Sequence, residues 1–311
     1  MFNNKKISAI IACYNDEKAI PVMHERLTNI FNKIGCDYEI IFVSDGAIDN
    51  SENVLEEICK KDKKTIAIFH SRNFSSQNSF FSGMQEASGD AVVLLDGDLQ
   101  DPPEIISDFA NKWLEGFDVV YGVRVKRNAS YLMNFLYKTF YKIFKRISYI
   151  NIPLDAGDFS LIDRKVVEIL KKSHERDIFI RGLRAWVGFK QTGVPYIRPE
   201  RYYGKSTNNF IKNVRWAKKG LLSFSFVPLE IISYLSYFIL LLSILGIFFY
   251  LILYFIKPDA PKGLTTIILL IIFMGGIQML SIGVLSEYIG KILEETKKRP
   301  RFIIKKILNK K

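Results

Sequence analysis

The chain has 311 residues, of which 49% are hydrophobic and 24% charged, and a formal net charge of +12. It is long enough for one large α/β domain with an appendage. The basic excess lies beside apolar segments, which suits an anionic membrane surface and argues against nucleic acid. Cys13, Cys36 and Cys59 are odd in number and lack metal-type spacing, so reduced thiols are expected rather than a disulfide framework.

The N-terminal stretch KKISAIIACYND has an apolar run too short for a signal-peptide core and leads directly into charged residues. It reads as a first strand, Ile7–Cys13. Further strands are expected at Glu39–Val43, Ile66–His70, Ala91–Leu95 and Asp118–Val123, alternating with helical patterns. This alternation implies βαβ units and a mostly parallel sheet, an α/β class. Polar clusters follow the first strand (Ala12-Cys13-Tyr14-Asn15-Asp16-Glu17) and the second (Ser44-Asp45-Gly46-Ala47-Ile48-Asp49-Asn50). Both fall on the carboxyl edge, where open α/β sheets bind ligands. No G-x-G-x-x-G follows the first strand and no G-x-x-x-x-G-K-S/T occurs, which argues against a dinucleotide oxidoreductase and a P-loop enzyme.

The fourth strand carries the chemistry, in AVVLLDGDLQDPPE. If extended geometry persists past Leu95, Asp96 and Asp98 face one pocket, and Gly97 lets a ligand approach the backbone. Paired carboxylates of this kind suit a divalent cation. Asp101 is expected to cap a helix with Pro102 at its first position.

Beyond the sheet the pattern turns toward a membrane. If Ala129–Ile150 is helical, Leu136, Phe140, Ile143 and Ile147 share one face and Lys138, Lys142 and Lys145 the opposite one, as in an in-plane interfacial helix. A second interfacial segment is expected over 208–227, with Lys212, Arg215, Trp216, Lys218 and Lys219 before Leu221–Val227. Ile231–Ile256 and Leu264–Leu285 contain no Asp, Glu, Lys or Arg. Each is long enough to cross a hydrocarbon core of ~30 Å. Basic residues flank both spans, against only Lys257 and Lys262 in their connection, so both termini are expected to be cytoplasmic. The expected domains are a catalytic one over 1–228, two membrane helices over 229–288 and a basic tail over 289–311. Gly275, Gly276 and Gly283 offer small surfaces for helix packing, within the hairpin or between protomers.

Together IACYNDE, VSDGAIDNS, SRNFSSQNSFFSG, LLDGDLQDPPE, AGDFSLIDRKVV and RGLRAWVGFKQTGVPY, followed by two spans, resemble the polyisoprenyl-phosphate glycosyltransferases. That group belongs to glycosyltransferase family 2, has the GT-A Rossmann-like fold, and includes undecaprenyl-phosphate glucosyltransferases and dolichol-phosphate mannose synthases. The resemblance implies an inverting enzyme that moves a sugar from a nucleoside diphosphate to a membrane lipid phosphate, using Mg²⁺ or Mn²⁺. A UDP-sugar donor, undecaprenyl phosphate as acceptor and a homo-oligomer, as in tetrameric bacterial members, are expected on the same ground.

Carried over by motif, the resemblance implies that Ala12, Tyr14, Glu17, Asp45 and Gly46 line the nucleoside pocket. Asp96 and Asp98 hold the metal and diphosphate, with Asp98 the first choice as direct ligand. Asp158 faces the donor sugar and the acceptor, positioning one of them rather than abstracting a proton. Arg198, Arg201, Lys205 and Ser206 fall in or beside a phosphate-contacting loop of the form R-x-x-G-x-S-K. Three positions depart from the family pattern: Ser44 replaces the first acid of D-D-G, Thr207 stands where the loop has Lys, and Ala12 replaces a common Pro. Two other readings remain open. A processive polysaccharide synthase normally has more spans and a Q-x-x-R-W motif, whose nearest match here is Arg181–Trp186. A catalytically silent membrane nucleotide-binding or scaffold protein is motivated by Ser44 and Thr207 and opposed by the retained carboxylates.

Overall fold

Eight apolar or alternating segments form one sheet: β1 Lys6–Cys13, β2 Asp37–Ser44, β3 Thr65–His70, β4 Ala91–Asp96, β5 Val119–Arg124, β6 Ala156–Asp163, β7 Gln191–Tyr196 and β8 Ile304–Leu308. The computed structural model describes residues 5–125, 148–150, 153, 156–176, 178–199, 223–256 and 263–310. The helix expected over 129–150 and the segment expected over 208–227 lie outside these residues except for their last few positions. Arg201, Lys205, Ser206 and Thr207 also lie outside them.

The sheet order is β7-β5-β6-β4-β1-β2-β3-β8. The four central strands β4, β1, β2 and β3 are mutually parallel, as expected for continuous apolar runs covered on both faces. β6 lies antiparallel between β4 and β5, and β8 runs antiparallel to β3, so the sheet is mixed toward both edges. The five expected strands stand where the sequence places them; β6, β7 and β8 complete the sheet.

The helices of this unit are α1 Ala19–Ile34, α2 Ser51–Lys61, α3 Ser76–Glu86, α4 Ile106–Leu114, α5 Arg164–Lys172 and α6 Ile180–Trp186. Along α1, Ile20, Met23, Leu27, Ile30 and Phe31 recur at three- and four-residue intervals and are buried against β1 and β2. Gly35, in the left-handed conformation (φ 73°), ends α1 by donating its N–H to Phe31 O. In α4, Ile106, Phe109, Ala110 and Trp113 make the same kind of stripe. Asp163 caps α5 through the Lys165 N–H and also accepts from Trp113 Nε1 at 2.7 Å, fixing β6 against α4.

Near the amino end of the sheet, one buried acid is fully occupied. Glu39 accepts from Lys6 Nζ (2.6 Å), Ser8 Oγ (2.6 Å) and both the N–H (2.6 Å) and Oγ (2.8 Å) of Ser88. Burial raises its pKa, but the Lys6 and serine contacts outweigh that and leave it below the ordinary 4.5. A carboxylate with a depressed folded-state pKa adds stability above its unfolded pKa, which is lost as pH falls through the folded value. Glu39→Gln is therefore expected to lower unfolding free energy by about 1–3 kcal/mol at neutral pH. In denaturant titrations at several pH values, the difference from the unmodified protein should shrink below the ordinary glutamate pKa.

A second unit holds two long helices, α7 Val227–Ile256 and α8 Leu264–Thr296. At 30 and 33 residues, both are long and apolar enough to cross a membrane. Large apolar side chains such as Ile231, Phe238, Leu241, Phe248, Ile271 and Phe273 are exposed along them, the pattern of helices made for lipid rather than for a soluble core. The helices extend beyond the uncharged runs, starting at Val227 and ending at Thr296. Nothing among the described residues lies within 4 Å of a Cβ built on Gly275, Gly276 or Gly283.

The basic segment over 289–311 is not a free tail. It begins inside α8 and ends as β8, which covers the outer edge of β3. Covering such an edge satisfies backbone groups that otherwise stand open to another chain.

Candidate active site

Strand register brings the expected residues to one place. Cys13 pairs with Ser44, Ala12 with Asp96, and Leu94 with Ser160, so the ends of β2, β1 and β4 and the start of β6 adjoin on the carboxyl edge. The polar loops after β1 and β2 are tied together there. Asn15 Oδ1 accepts from the Ile48 N–H (2.9 Å), Asp49 Oδ2 from the Glu17 N–H (3.1 Å), and Glu17 Oε2 from the Asn50 N–H (3.2 Å). Tyr14 projects from this platform and is 41% exposed, available for stacking.

Asp45 is buried and holds the next loop. Its Oδ1 accepts from His70 Nδ1 and from the Phe74 N–H, each at 2.8 Å. Gly46 has φ 65°, and a Cβ there would run into the backbone of Arg72 and Asn73, so conformation and space both demand glycine. Ser44, which departs from the family acid, is fully buried, and its hydroxyl has no hydrogen-bond partner among the described residues.

The β4 end differs from the extended geometry expected. The strand stops at Asp96, the Gly97 N–H adds one last ladder bond to Ala12 O (2.9 Å), and the chain then turns, with Leu99 in a left-handed conformation (φ 60°). A Cβ on Gly97 would meet Cys13 Sγ, Ala12 O and Asp16 Oδ2 at about 3 Å, so packing within the chain also favours glycine there. The turn, rather than strand alternation, brings Asp98 near Asp96. Asp101 does not cap a helix: the first turn is a 3-10 segment at Pro103–Ile105 with no side-chain cap. Instead Asp101 is buried and accepts from Tyr196 Oη (2.7 Å), which in turn accepts from Arg124 Nε (3.2 Å).

The result is a crowd of acids. Asp96 is pushed well above the carboxylate range by burial first, then by Asp101, Asp98 and Asp158, with Arg198 opposing. Arg198 is the facing cation, its Nη2 3.9 Å from Asp98 Oδ2 and its Nε 3.9 Å from Asp101 Oδ1. Cys13 adjoins the same field; burial and then Asp16, Asp96, Asp49 and Asp98 raise its pKa, which keeps it a thiol. Whereas Glu39 is saturated by donors, this edge concentrates negative charge. That donor set fits a hard divalent cation. No three-residue metal group stands among the described residues, so Asp96 and Asp98 suit a cation that takes its remaining oxygens from phosphates and water.

Asp158 stands differently. Its carboxylate accepts from Gln77 Nε2 (3.0 Å), Arg181 Nε (3.0 Å) and Arg181 Nη2 (3.2 Å). Burial raises its pKa, but Arg181, Arg184 and Gln77 overcome this and hold it below its ordinary value. Arg184 is buried, donates to Gly157 O (3.2 Å), and has its own pKa lowered to about 10, by burial first and then by Arg181. Gln77 also accepts the Ile180 N–H (2.9 Å), locking α3, β6 and α6 around Asp158.

Asp96, Asp98, Asp158 and Arg198 are thus brought into one charged cluster, with Ala12 at the end of β1 and Tyr14, Glu17, Asp45 and Gly46 on adjoining loops. Sequence reasoning missed Asp101, Tyr196, Arg124, His70, Gln77 and the pairing role of Arg181. His70 had a signal, since it ends a strand on the ligand-binding edge, and Gln77 lies within a stretch that carries the resemblance.

The mixed sheet, with acids clustered beyond β4 at its carboxyl edge, has a GT-A-type architecture. The chain belongs to glycosyl transferase family 2, whose sequence pattern matches residues 8–170. An uncharacterized glycosyltransferase of Bacillus subtilis (strain 168) is 37% identical over 98% of this chain and 95% of its own. The SfII prophage-derived bactoprenol glucosyl transferase of Shigella flexneri is 36% identical over 97% of this chain and 98% of its own. Among solved structures, a mycobacterial protein superimposes with a TM-score of 0.50 at 14% identity, covering 71% of this chain and 74% of that one. This last likeness concerns the fold alone.

Proposed function

We propose that the protein transfers a hexose, glucose being the first candidate, from a UDP-sugar to a polyprenyl phosphate, undecaprenyl phosphate being the expected lipid. The observation that carries this reading is the acid cluster at the end of β4, where burial and mutual repulsion hold Asp96 far from its ordinary state. The name of the Shigella relative supports the glucosyl group and the lipid. The two apolar helices support a site kept near a bilayer.

In this reading a phosphate oxygen of the acceptor attacks C1 of the sugar, and the bond from C1 to the nucleoside diphosphate breaks with inversion. The acceptor oxygen is already ionised near neutral pH, so no general base is needed. Asp158 fits that economy, because a carboxylate paired with Arg181 and held below its ordinary pKa is a poor proton acceptor and a good anchor for a sugar hydroxyl. Mg²⁺ or Mn²⁺, held by Asp98 and Asp96, supplies positive charge that stabilises the leaving diphosphate. Arg198, with Arg201, Lys205 and Ser206 as further candidates, contributes donors to phosphate oxygens. Tyr14, Glu17, Asp45, Gly46 and Ala12 hold the nucleoside. The catalytic unit and both termini are placed on the cytoplasmic side, and the protein acts as a homo-oligomer.

The test is incubation of the purified full-length chain with Mg²⁺ or Mn²⁺, vesicles carrying undecaprenyl phosphate, and a panel of UDP- and GDP-sugars. One sugar per lipid is the expected product. A growing polymer indicates a processive synthase, and nucleotide binding without turnover indicates a silent binding protein; either overturns the proposal.

A further inference from the structure

We propose that the C-terminal strand β8 and the residues leading into it form part of the donor pocket, with Phe302 and His70 acting as positioning residues for Asp45. This rests on the reading of Asp45 as a nucleoside contact. Phe302 lies against His70 with ring centroids 5.4 Å apart and planes within 10°. Phe74 makes a T-shaped contact with the same imidazole at 5.7 Å. Packed against these rings, His70 presents Nδ1 to Asp45 Oδ1 at 2.8 Å. We assign Nδ1 as the donor and the Asp45 oxygen as the acceptor of this bond.

His70 Nε2 is buried without a hydrogen-bond partner among the described residues. An apolar ring would fill the same space without leaving a nitrogen unsatisfied. What imidazole adds is the bond to Asp45. A second link runs in parallel: the Ser71 N–H donates to Ile303 O at 2.9 Å, fixing the start of the loop whose Arg72 and Asn73 backbone packs on Gly46. The C-terminal segment therefore holds two consecutive residues, His70 and Ser71, and each reaches the β2 loop by its own route.

The strand is anchored well enough to do this. Asn309 Nδ2 lies within hydrogen-bond distance of Cys59 O (2.7 Å), Thr65 O (2.9 Å) and Asp62 O (3.1 Å). Lys305, Lys306 and Lys310 pair with Glu52, Glu56 and Glu86. Arg301 donates to Ser173 O and lies over the Phe81 ring. These lysines were expected to serve a basic tail beside the membrane; here they match acids of α2 and α3.

The experiment uses full-length protein in detergent, UDP binding by calorimetry with Mg²⁺ present, and steady-state turnover. Phe302→Ala removes the stacked ring, and His70→Phe keeps the ring but removes the bond to Asp45. Each is expected to weaken UDP binding at least tenfold and to raise the donor KM with kcat and the lipid KM changed less than twofold. Phe302→Tyr should restore affinity to within twofold of the unmodified protein. Asn309→Ala, which loosens the far end of the strand, should lower the melting temperature with UDP affinity changed less than twofold. Unchanged UDP affinity in both Phe302→Ala and His70→Phe overturns the proposal. So does a loss in Asn309→Ala as large as theirs, because the strand would then act through stability alone. Failure of the unmodified protein to bind any nucleoside diphosphate instead removes the donor reading, and this proposal with it.

Discussion

Asp98→Ala is expected to reduce sugar transfer by about 10³-fold at saturating metal and donor, equivalent to about 4 kcal/mol of lost transition-state stabilisation. The measurement is labelled sugar recovered on the lipid. The physical argument also fixes a second sign. Asp98 is one of the charges that raise the pKa of Asp96, so deleting it relieves repulsion in the metal-free protein. The variant should therefore melt no lower than the unmodified protein without metal, and should lose any stabilisation that Mn²⁺ and UDP together confer. A residue that served only the fold would behave in the opposite way. Full activity in Asp98→Ala would remove the cluster beyond β4 from the chemistry.

Asp158→Asn is expected to lower kcat about 10²-fold, at the low end of what a single preorganised polar contact supplies, while the donor KM stays within about twofold. Here stability should fall. The Asp158–Arg181 pair is largely buried, and replacing the charge removes the carboxylate that offsets Arg181 and Arg184. Breaking such a pair costs about 3–5 kcal/mol when a partner is removed outright, and asparagine retains an acceptor that reduces this. Turnover against pH supplies a further check. Because Asp158 is held below its ordinary 3.8, its ionisation should produce no step in kcat near neutrality. An acidic-limb fall in kcat that vanishes in Asp158→Asn would make it a general base and reverse the role assigned here.

Two adjoining acids thus have opposite electrostatics. Asp96 is raised and Asp158 lowered, although both are partly buried and close enough to interact. The difference lies in partners: Asp158 receives three donor contacts, whereas Asp96 faces other carboxylates and the distant guanidinium of Arg198. The first arrangement holds a fixed anion. The second suits a cation that comes and goes with substrate.

Sequence alone determined the four central strands, because a parallel strand covered on both faces must be an uninterrupted apolar run and its loops must be polar. Ile7–Cys13 and Ala91–Leu95 are legible for that reason. It also determined the two long apolar helices, since no soluble packing tolerates such length without charge. The carboxyl-edge rule then located Tyr14, Asp45, Asp96 and Asp98 before any contact was known. Tertiary structure alone decided what depends on elements distant in the chain. Whether Asp101 caps a helix or joins the acid cluster depends on Tyr196, ninety-five positions away, and on a turn at Leu99 that no local propensity demands. The charge on Asp158 depends on Arg181 and Gln77, which reach it from α6 and α3. The lysines of β8 read as a membrane-facing tail because charge patterning carries no information about which acids lie opposite. Strand pairing supplies them, and brings Phe302 to His70, a contact between residues 232 positions apart.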